Sequence, residues 1–184
     1  DGSLNCLFAN MPKFILPLLF NLSGSRNYYT LKEYCEILKN NHFVHHDLTH
    51  SIPFEDNSVD YIFSSHFLEH LYNKDAQNLL SEALRVLKSK GKIRLSVPDL
   101  EHAIKMYKDG KKLDMLNNYF FVEHDNNYYS RHKYMYDFEL LSKMFENAGF
   151  KNIKRFKFRE GSLPELERLD NRPEDSLFIE ASKI

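Results

Sequence analysis

The stretch 46–99 constrains the fold of this chain more than any other part. It opens with HDLTHSIPFEDNSVDYIFSSHFLEHL and closes with LLSEALRVLKSKGKIRLSVPD. The runs His42–Leu48 and Val59–His66 are rich in β-branched and aromatic residues and are bounded by turn residues, so both predict strands. Apolar residues at helical spacing predict a helix over Asn73–Lys88, and Lys92–Val97 predicts a further strand. Strands that alternate with a helix are typical of an α/β fold with a largely parallel sheet.

Capping residues indicate where several helices begin and end. Thr30 is placed to cap a helix over Thr30–Lys39, with Glu33 completing a capping box. Asp137 is expected to cap a second helix, which Gly149 would end in the left-handed conformation. For the helix over Asn73–Lys88, the basic residues near its end and the glycine that follows them predict its C-terminus.

The last third of the chain predicts two more strands, Ile153–Phe158 and Leu177–Ala181, separated by a polar loop over 160–173. One of these two C-terminal strands can join the sheet in the antiparallel direction. No repeat, low-complexity tract or linker interrupts the sequence. We therefore expect a single domain over 1–184.

Composition excludes several classes of protein. The chain has 25 basic and 26 acidic residues, a balance that gives no electrostatic footprint for nucleic acid. Its two cysteines, Cys6 and Cys35, predict no disulfide framework and fit a reducing cytoplasm. The apolar run Phe14–Phe20 is too short to span a bilayer. It predicts a buried or lid-forming segment, with contact to a membrane surface as the alternative. The oligomeric state is left open.

The run 46–99, together with HKYMYDFELLSKMFENAGF (132–150) and LDNRPEDSLFIEA (169–181), resembles the class I S-adenosylmethionine-dependent methyltransferases of the type 11 group. The likeness is greatest to a branch with the pattern DL-x-x-x-LPF-x-DNS-D-x-I-x-x-SH-x-LEH. The resemblance implies a Rossmann-like α/β sheet that is mostly parallel with an antiparallel late strand and has helices on both faces. It leaves open whether the first strand of the family's sheet is missing from this chain. Residues 1–41 would be a helical or lid segment, and 42–184 the core and the acceptor-side loops.

The resemblance also implies which residues bind S-adenosyl-L-methionine: Asp1, Asp47, Leu48, Ser64, Ser65 and His66. Asp47 would accept a hydrogen bond from the adenine amino group, and Leu48 would pack beside the ring. Ser64, Ser65 and His66 would lie beside the methionine end, and Asp1 would grip the ribose hydroxyls. From the residues alone, Asp47 could equally be a loop cap and His66 a hydrogen-bonded strand end.

One departure from the family concerns its glycine-rich loop, which lets the backbone approach the cofactor closely. No two of the six glycines form a G-x-G. Either the chain has lost cofactor binding, or residues upstream of Asp1 supply the loop, and we favour the second explanation. The codons upstream of Asp1 would distinguish the two.

Methyl transfer to a hydroxyl is helped by a general base, for which histidine is suited at neutral pH. The candidates for catalysis are His66, Glu69, His70 and His132. We expect the methyl acceptor between the loop 64–72 and the loop 123–136, where histidines, tyrosines and asparagines are dense. Four tyrosines would line the acceptor side, or simply pack there: Tyr128, Tyr129, Tyr134 and Tyr136.

The segment His66–His70 also reads H-x-x-E-H, a zinc signature of metallopeptidases. That signature needs both histidines on one helix, whereas the run that ends at His66 predicts a strand. We therefore expect no metal. The sequence predicts a methyltransferase that acts on a small molecule or a glycan. A non-catalytic binding module with the same fold is the alternative, and a zinc hydrolase is a distant third.

Overall fold

The computed structural model describes residues 2–9, 11–12, 14–22, 25–27, 29–120 and 131–184. The chain divides into two compact units, Asp1–Asp47 and Leu48–Ile184. The predictions for Asp1, Tyr128 and Tyr129, and most of the predicted loop 123–136, lie outside the described residues.

The first unit is helical. Its helices are α1 (Gly2–Ala9), α2 (Leu16–Leu22) and α3 (Leu31–Asn40), with a 3₁₀ turn at Ser25–Asn27. The predicted capping box is confirmed, because Glu33 N donates to the Thr30 hydroxyl and Thr30 N donates to the Glu33 carboxylate. Five side chains form the buried core of this unit: Phe8, Leu16, Phe20, Tyr34 and Leu38.

The apolar run Phe14–Phe20 is divided between core and surface. Leu16 and Phe20 are buried, whereas Phe14 and Leu18 are largely exposed. Across the described residues, no helix has the length and apolar character needed to cross a membrane.

The second unit is built on a four-stranded sheet. The strands are β1 (Val59–Ser65), β2 (Leu87–Pro98), β3 (Lys151–Phe156) and β4 (Ser176–Ser182). Their order is β1-β2-β4-β3, with β1 parallel to β2 and with β4 antiparallel to both β2 and β3. The expected α/β sheet with an antiparallel late strand is confirmed.

Five helices accompany this sheet: α4 (Asn73–Val86), α5 (Leu100–Lys108), α6 (Lys112–Met115), α7 (Phe138–Ala148) and α8 (Leu166–Leu169). A 3₁₀ turn at Leu68–His70 and a π-helical turn at Leu116–Phe120 complete the described elements of this unit. Asp137 caps α7 as predicted, because its side chain accepts from Leu140 N at 2.8 Å. Gly149 ends α7 with a φ of 101°.

Alternate side chains of β2 point to the two opposite faces of the sheet. Ile93, Leu95 and Val97 point into the main apolar core, together with side chains of α4 and α7. Arg94 and Ser96 point to the opposite face. Arg94 is fully buried there beside Asp170, the residue that follows α8.

Two sequence predictions were wrong. The run His42–Leu48 forms no strand, because an extended run becomes a strand only where a second segment accepts its hydrogen bonds. The helix predicted to end at Lys88 ends at Val86, and Leu87 already pairs with Val59 in the sheet. The apolar period continued across this junction, so the pattern could not reveal it.

Candidate functional site

The carboxyl end of β1 turns sharply out of the sheet. Ser65 is its last residue, and His66 adopts a φ of 49°. A residue with a side chain rarely occupies this left-handed region, and such backbone strain concentrates at functional sites. The turn is held because His66 N donates to Ser96 O of β2 at 2.8 Å. The His66 side chain is thereby presented beyond the strand ends.

The His66 ring is enclosed by three polar groups. Its Nε2 lies 2.8 Å from the Ser176 hydroxyl, at the start of β4. Its Nδ1 lies 3.4 Å from Glu69 Oε1 and 3.4 Å from Arg172 Nη1. Both edges of the ring therefore have polar neighbours.

Glu69 is the most unusual residue of the site. Its side chain is 0% exposed, and neither carboxylate oxygen has a hydrogen-bond partner within the described residues. Burying a charged group without a donor costs free energy, so such groups are rare in native proteins. The backbone of Glu69 is firmly held, since its carbonyl accepts from Lys133 N at 2.7 Å and from Tyr134 N at 3.2 Å.

Those two backbone hydrogen bonds bring His132 beside His70. The two imidazole rings lie 5.2 Å apart, centroid to centroid. His70 Nδ1 lies 3.2 Å from Arg131 O, and His132 Nδ1 lies 2.7 Å from Tyr119 O. The expectation that His132 lies near the loop 64–72 is confirmed.

Burial lowers the pKa of His132, against the opposing effects of its hydrogen bond to Tyr119 O and the charge of Glu69. The neutral imidazole is therefore favoured there. A carbonyl oxygen can only accept, so a neutral His132 carries its proton on Nδ1 and leaves Nε2 as an electron-pair donor. Together with Glu69 and His70 it forms a group whose ligand atoms all lie within 4.8 Å of one another, close enough to hold a metal ion.

Besides His66, the structure describes four of the predicted cofactor residues, and two of these line a cavity. Leu48 and Ser64 line one cavity of about 780 Å³ beside β1 and α4. Ser65 is not among the residues that line this cavity, and its hydroxyl lies 3.4 Å from the Asn171 side chain. Asp47 is exposed and belongs to the first unit. The wall of the cavity is mainly apolar and includes Ile52, Phe54, Phe63, Phe67, Leu79 and Ile93.

Sequence reasoning missed several residues around the site. Arg172 and Ser176 contact His66 although more than a hundred residues separate them in the chain. Both belong to the segment LDNRPEDSLFIEA that carried part of the family resemblance, which was the available indication. Tyr136, expected on the acceptor side, is fully buried with a hydroxyl that has no partner among the described residues. Burial raises the pKa of this phenol well above its usual range.

Comparison with known proteins identifies the fold of the chain. The family model described as methyltransferase domain matches residues 25–95. No curated protein matches the chain significantly.

Three solved structures illustrate the likeness. A methyltransferase from Thermotoga maritima, described as a possible histamine N-methyltransferase, shares 18% identity at a TM-score of 0.52, and the match covers all of this chain and 88% of that one. The S-adenosylmethionine-dependent methyltransferase SibL shares 18% identity at a TM-score of 0.56, over 88% of this chain and 40% of its own. PigF, solved with SAH, shares 16% identity at a TM-score of 0.54, over 95% of this chain and 42% of its own.

The present chain thus spans about two fifths of the length of SibL and PigF and most of the length of the Thermotoga protein. At these identities the structures establish the fold, and the family match over 25–95 agrees with it. The chain has the fold of the S-adenosylmethionine-dependent methyltransferases, and its residues 25–95 match the methyltransferase-domain family model.

Proposed function

We propose that this chain is an S-adenosylmethionine-dependent methyltransferase that acts on a small molecule or a glycan. The observation that carries the proposal is the cluster of His66, Glu69, His70 and His132 just beyond the carboxyl end of β1. In open α/β sheets this edge is where ligands bind.

The residues around the cavity beside β1 suit the flat ring of S-adenosylmethionine. The cavity lined by Leu48 and Ser64 offers an apolar wall for a flat ring and a hydroxyl at the end of a strand. Leu48 and Ser64 would hold the cofactor there, with Asp47 and His66 as further contacts. When bound, S-adenosylmethionine supplies an electrophilic methyl group on a sulfonium centre. PigF, which shares the fold, was solved with SAH.

Within the chain, His66 is our candidate for the group that takes the acceptor's proton. Its Nδ1 faces the buried Glu69 carboxylate, and its Nε2 lies 2.8 Å from the Ser176 hydroxyl. The Nε2 lone pair would take the proton through this hydroxyl, which would pass on its own proton while it accepts that of the acceptor. A carboxylate beside an imidazole stabilises the imidazolium that forms when a proton is taken. His70 and His132 would contact the acceptor itself.

A polar acceptor of modest size suits this cluster. The near-zero net charge of the chain argues against nucleic acid as the acceptor. We further propose that the chain acts as a single domain, in the cytoplasm, where the thiols of Cys6 and Cys35 would stay reduced.

The test separates binding from chemistry. Isothermal titration with SAH should detect binding, which Asp47→Ala weakens by on the order of 1 kcal/mol, the value of one hydrogen bond. His66→Ala should reduce methyl transfer at least about a hundredfold, as for loss of a general base, and should weaken SAH binding far less than that. The exposed His42 offers the control, since His42→Ala should change neither quantity.

Two results would contradict the proposal. Absence of SAH binding by the chain, tested also together with any residues encoded upstream of Asp1, would favour a non-catalytic module. Full activity of His66→Ala would leave the fold assignment intact but remove His66 as the base.

A further inference from the structure

Three side chains that can donate electron pairs to a metal ion, Glu69, His70 and His132, lie close together in the cluster. Glu69 presents two carboxylate oxygens that have no hydrogen-bond partner within the described residues. His70 Nε2 lies 3.8 Å from Glu69 Oε1, which is too long for a hydrogen bond. A further electron-pair donor, His132, belongs to the same group.

The other nitrogens of both imidazoles are already committed. His70 Nδ1 faces Arg131 O and His132 Nδ1 faces Tyr119 O, and a carbonyl oxygen can only accept. Each Nδ1 therefore donates to its carbonyl, and in the neutral ring Nε2 is the nitrogen that carries the lone pair. Histidines that ligate metals are oriented in this manner, by donating the second ring nitrogen to a backbone carbonyl or a carboxylate.

The spacing of the three groups suits an ion at their centre. The ligand atoms of Glu69, His70 and His132 all lie within 4.8 Å of one another. Nitrogen and oxygen ligands bind zinc at about 2.0–2.2 Å, so neighbouring ligand atoms of a tetrahedral site lie roughly 3.3–3.5 Å apart. Small rotations of the two imidazoles would close the difference.

We propose that Glu69, His70 and His132 form a binding site for a divalent first-row transition-metal ion, with Zn²⁺ as the ion of choice for testing it. A bound cation would neutralise the buried Glu69 carboxylate, to which no described residue donates a hydrogen bond. Two imidazoles and one carboxylate are a donor set typical of catalytic zinc, and three protein ligands leave a position open to solvent or to a substrate oxygen.

This site departs from the expectation of no metal, and it is not the zinc site that H-x-x-E-H describes. His66 lies in the left-handed turn after β1, with its Nε2 turned to Ser176. The second imidazole comes instead from His132, far along the chain. Cation binding does not depend on the proposed methyl transfer, and only the use of the open position by an acceptor oxygen rests on that proposal.

The experiment titrates the EDTA-treated chain with Zn²⁺ in the absence of cofactor and acceptor. Calorimetry should give one ion per chain with a micromolar or tighter dissociation constant. Glu69→Gln, His70→Ala and His132→Ala should each weaken binding at least tenfold, and Co²⁺ in place of Zn²⁺ should give a visible absorption band that is lost in the same variants. His42→Ala, an exposed histidine in the first unit, should match the unaltered chain.

Circular dichroism of each variant without metal shows whether it is folded, and Glu69→Gln keeps the shape of the side chain if an alanine variant is not. Absence of stoichiometric Zn²⁺ binding by the unaltered chain would overturn the proposal. So would binding that Glu69→Gln and His132→Ala leave unchanged. Because no methyl transfer is measured, either result leaves the proposed enzyme activity to its own test.

Discussion

Glu180 and Glu69 are both buried in the second unit, yet their surroundings are opposite. Glu180 receives Arg94 Nη1 at 2.9 Å, Ser162 N at 2.9 Å and the Ser162 hydroxyl at 2.6 Å. The Glu69 carboxylate receives no hydrogen bond from the described residues, and imidazole nitrogens of His66 and His70 lie 3.4 and 3.8 Å from its Oε1. One carboxylate is fully paired, and the other is not.

The paired cluster has Arg94 at its centre. Its guanidinium donates to Asp170 through Nε and Nη2, at 3.0 and 2.6 Å, and to the carbonyls of Lys157 and Glu160. It thereby fastens the loop between β3 and β4 to the face of the sheet opposite α4 and α7. Gly161 permits this close approach, because a Cβ there would lie 2.0 Å from Glu180 Oε1.

The difference in hydrogen bonding indicates a structural role for Glu180 and a functional role for Glu69. A buried charge whose donors and acceptors all match serves the fold, whereas a buried charge without partners is retained where binding or chemistry needs it. Three predictions test this distinction through the free energy of unfolding, measured with urea in the presence of EDTA.

The largest effect is expected for Arg94→Met. It removes the cation between Asp170 and Glu180 and leaves two buried carboxylates uncompensated, so stability should fall by about 3–5 kcal/mol. The matched control is Lys88→Met, because Lys88 forms an exposed pair with Asp60. That change should cost less than about 1 kcal/mol. Equal losses in the two variants would show that the Arg94 cluster is not the anchor described above.

Substitution of Glu180 or Glu69 by glutamine is expected to have an intermediate effect on the free energy of unfolding, and the two changes should differ in sign. Glu180→Gln breaks a charge-assisted hydrogen bond to Arg94 and should cost about 2–3 kcal/mol. Glu69→Gln removes a buried carboxylate to which no residue in the described ranges donates a hydrogen bond, so stability should stay unchanged or rise by up to about 1 kcal/mol. A loss in Glu69→Gln as large as that in Glu180→Gln would mean that Glu69 is a structural residue as well.

The smallest effect concerns two hydroxyls. Tyr136→Phe deletes a buried hydroxyl that has no hydrogen-bond partner among the described residues, so stability should change by less than about 0.5 kcal/mol. Ser162→Ala deletes a hydroxyl that donates to Glu180 at 2.6 Å and should cost about 1 kcal/mol. A clear loss in Tyr136→Phe would indicate that this hydroxyl is paired in solution.

Local chemistry made much of the fold predictable. The caps at Thr30, Asp137 and Gly149 are set by residues within one helical turn, and all three were predicted correctly. β1 and β4 were predicted within a residue or two, because their flanking turns mark their ends. His42–Leu48 has the composition of a strand, but a strand also needs a partner, which composition does not specify.

The site was only partly predictable for the same reason. His66, Glu69 and His70 lie within five residues of one another, so a local motif could indicate them. His132 joins them through the backbone hydrogen bonds that Lys133 and Tyr134 donate to Glu69. No local pattern encodes that contact, and the same holds for Arg172 and Ser176.

The order of the strands has a consequence for how the chain is made. β4 lies between β2 and β3 although it follows both in the sequence. During synthesis, β2 and β3 cannot be joined until Ser182 has left the ribosome. Until then β2 has an unpaired edge on the side that β4 will occupy, and nascent chains with unpaired strand edges are prone to aggregate. Among the four described strands, the pairings of β4 with β2 and β3 are therefore the last that translation allows.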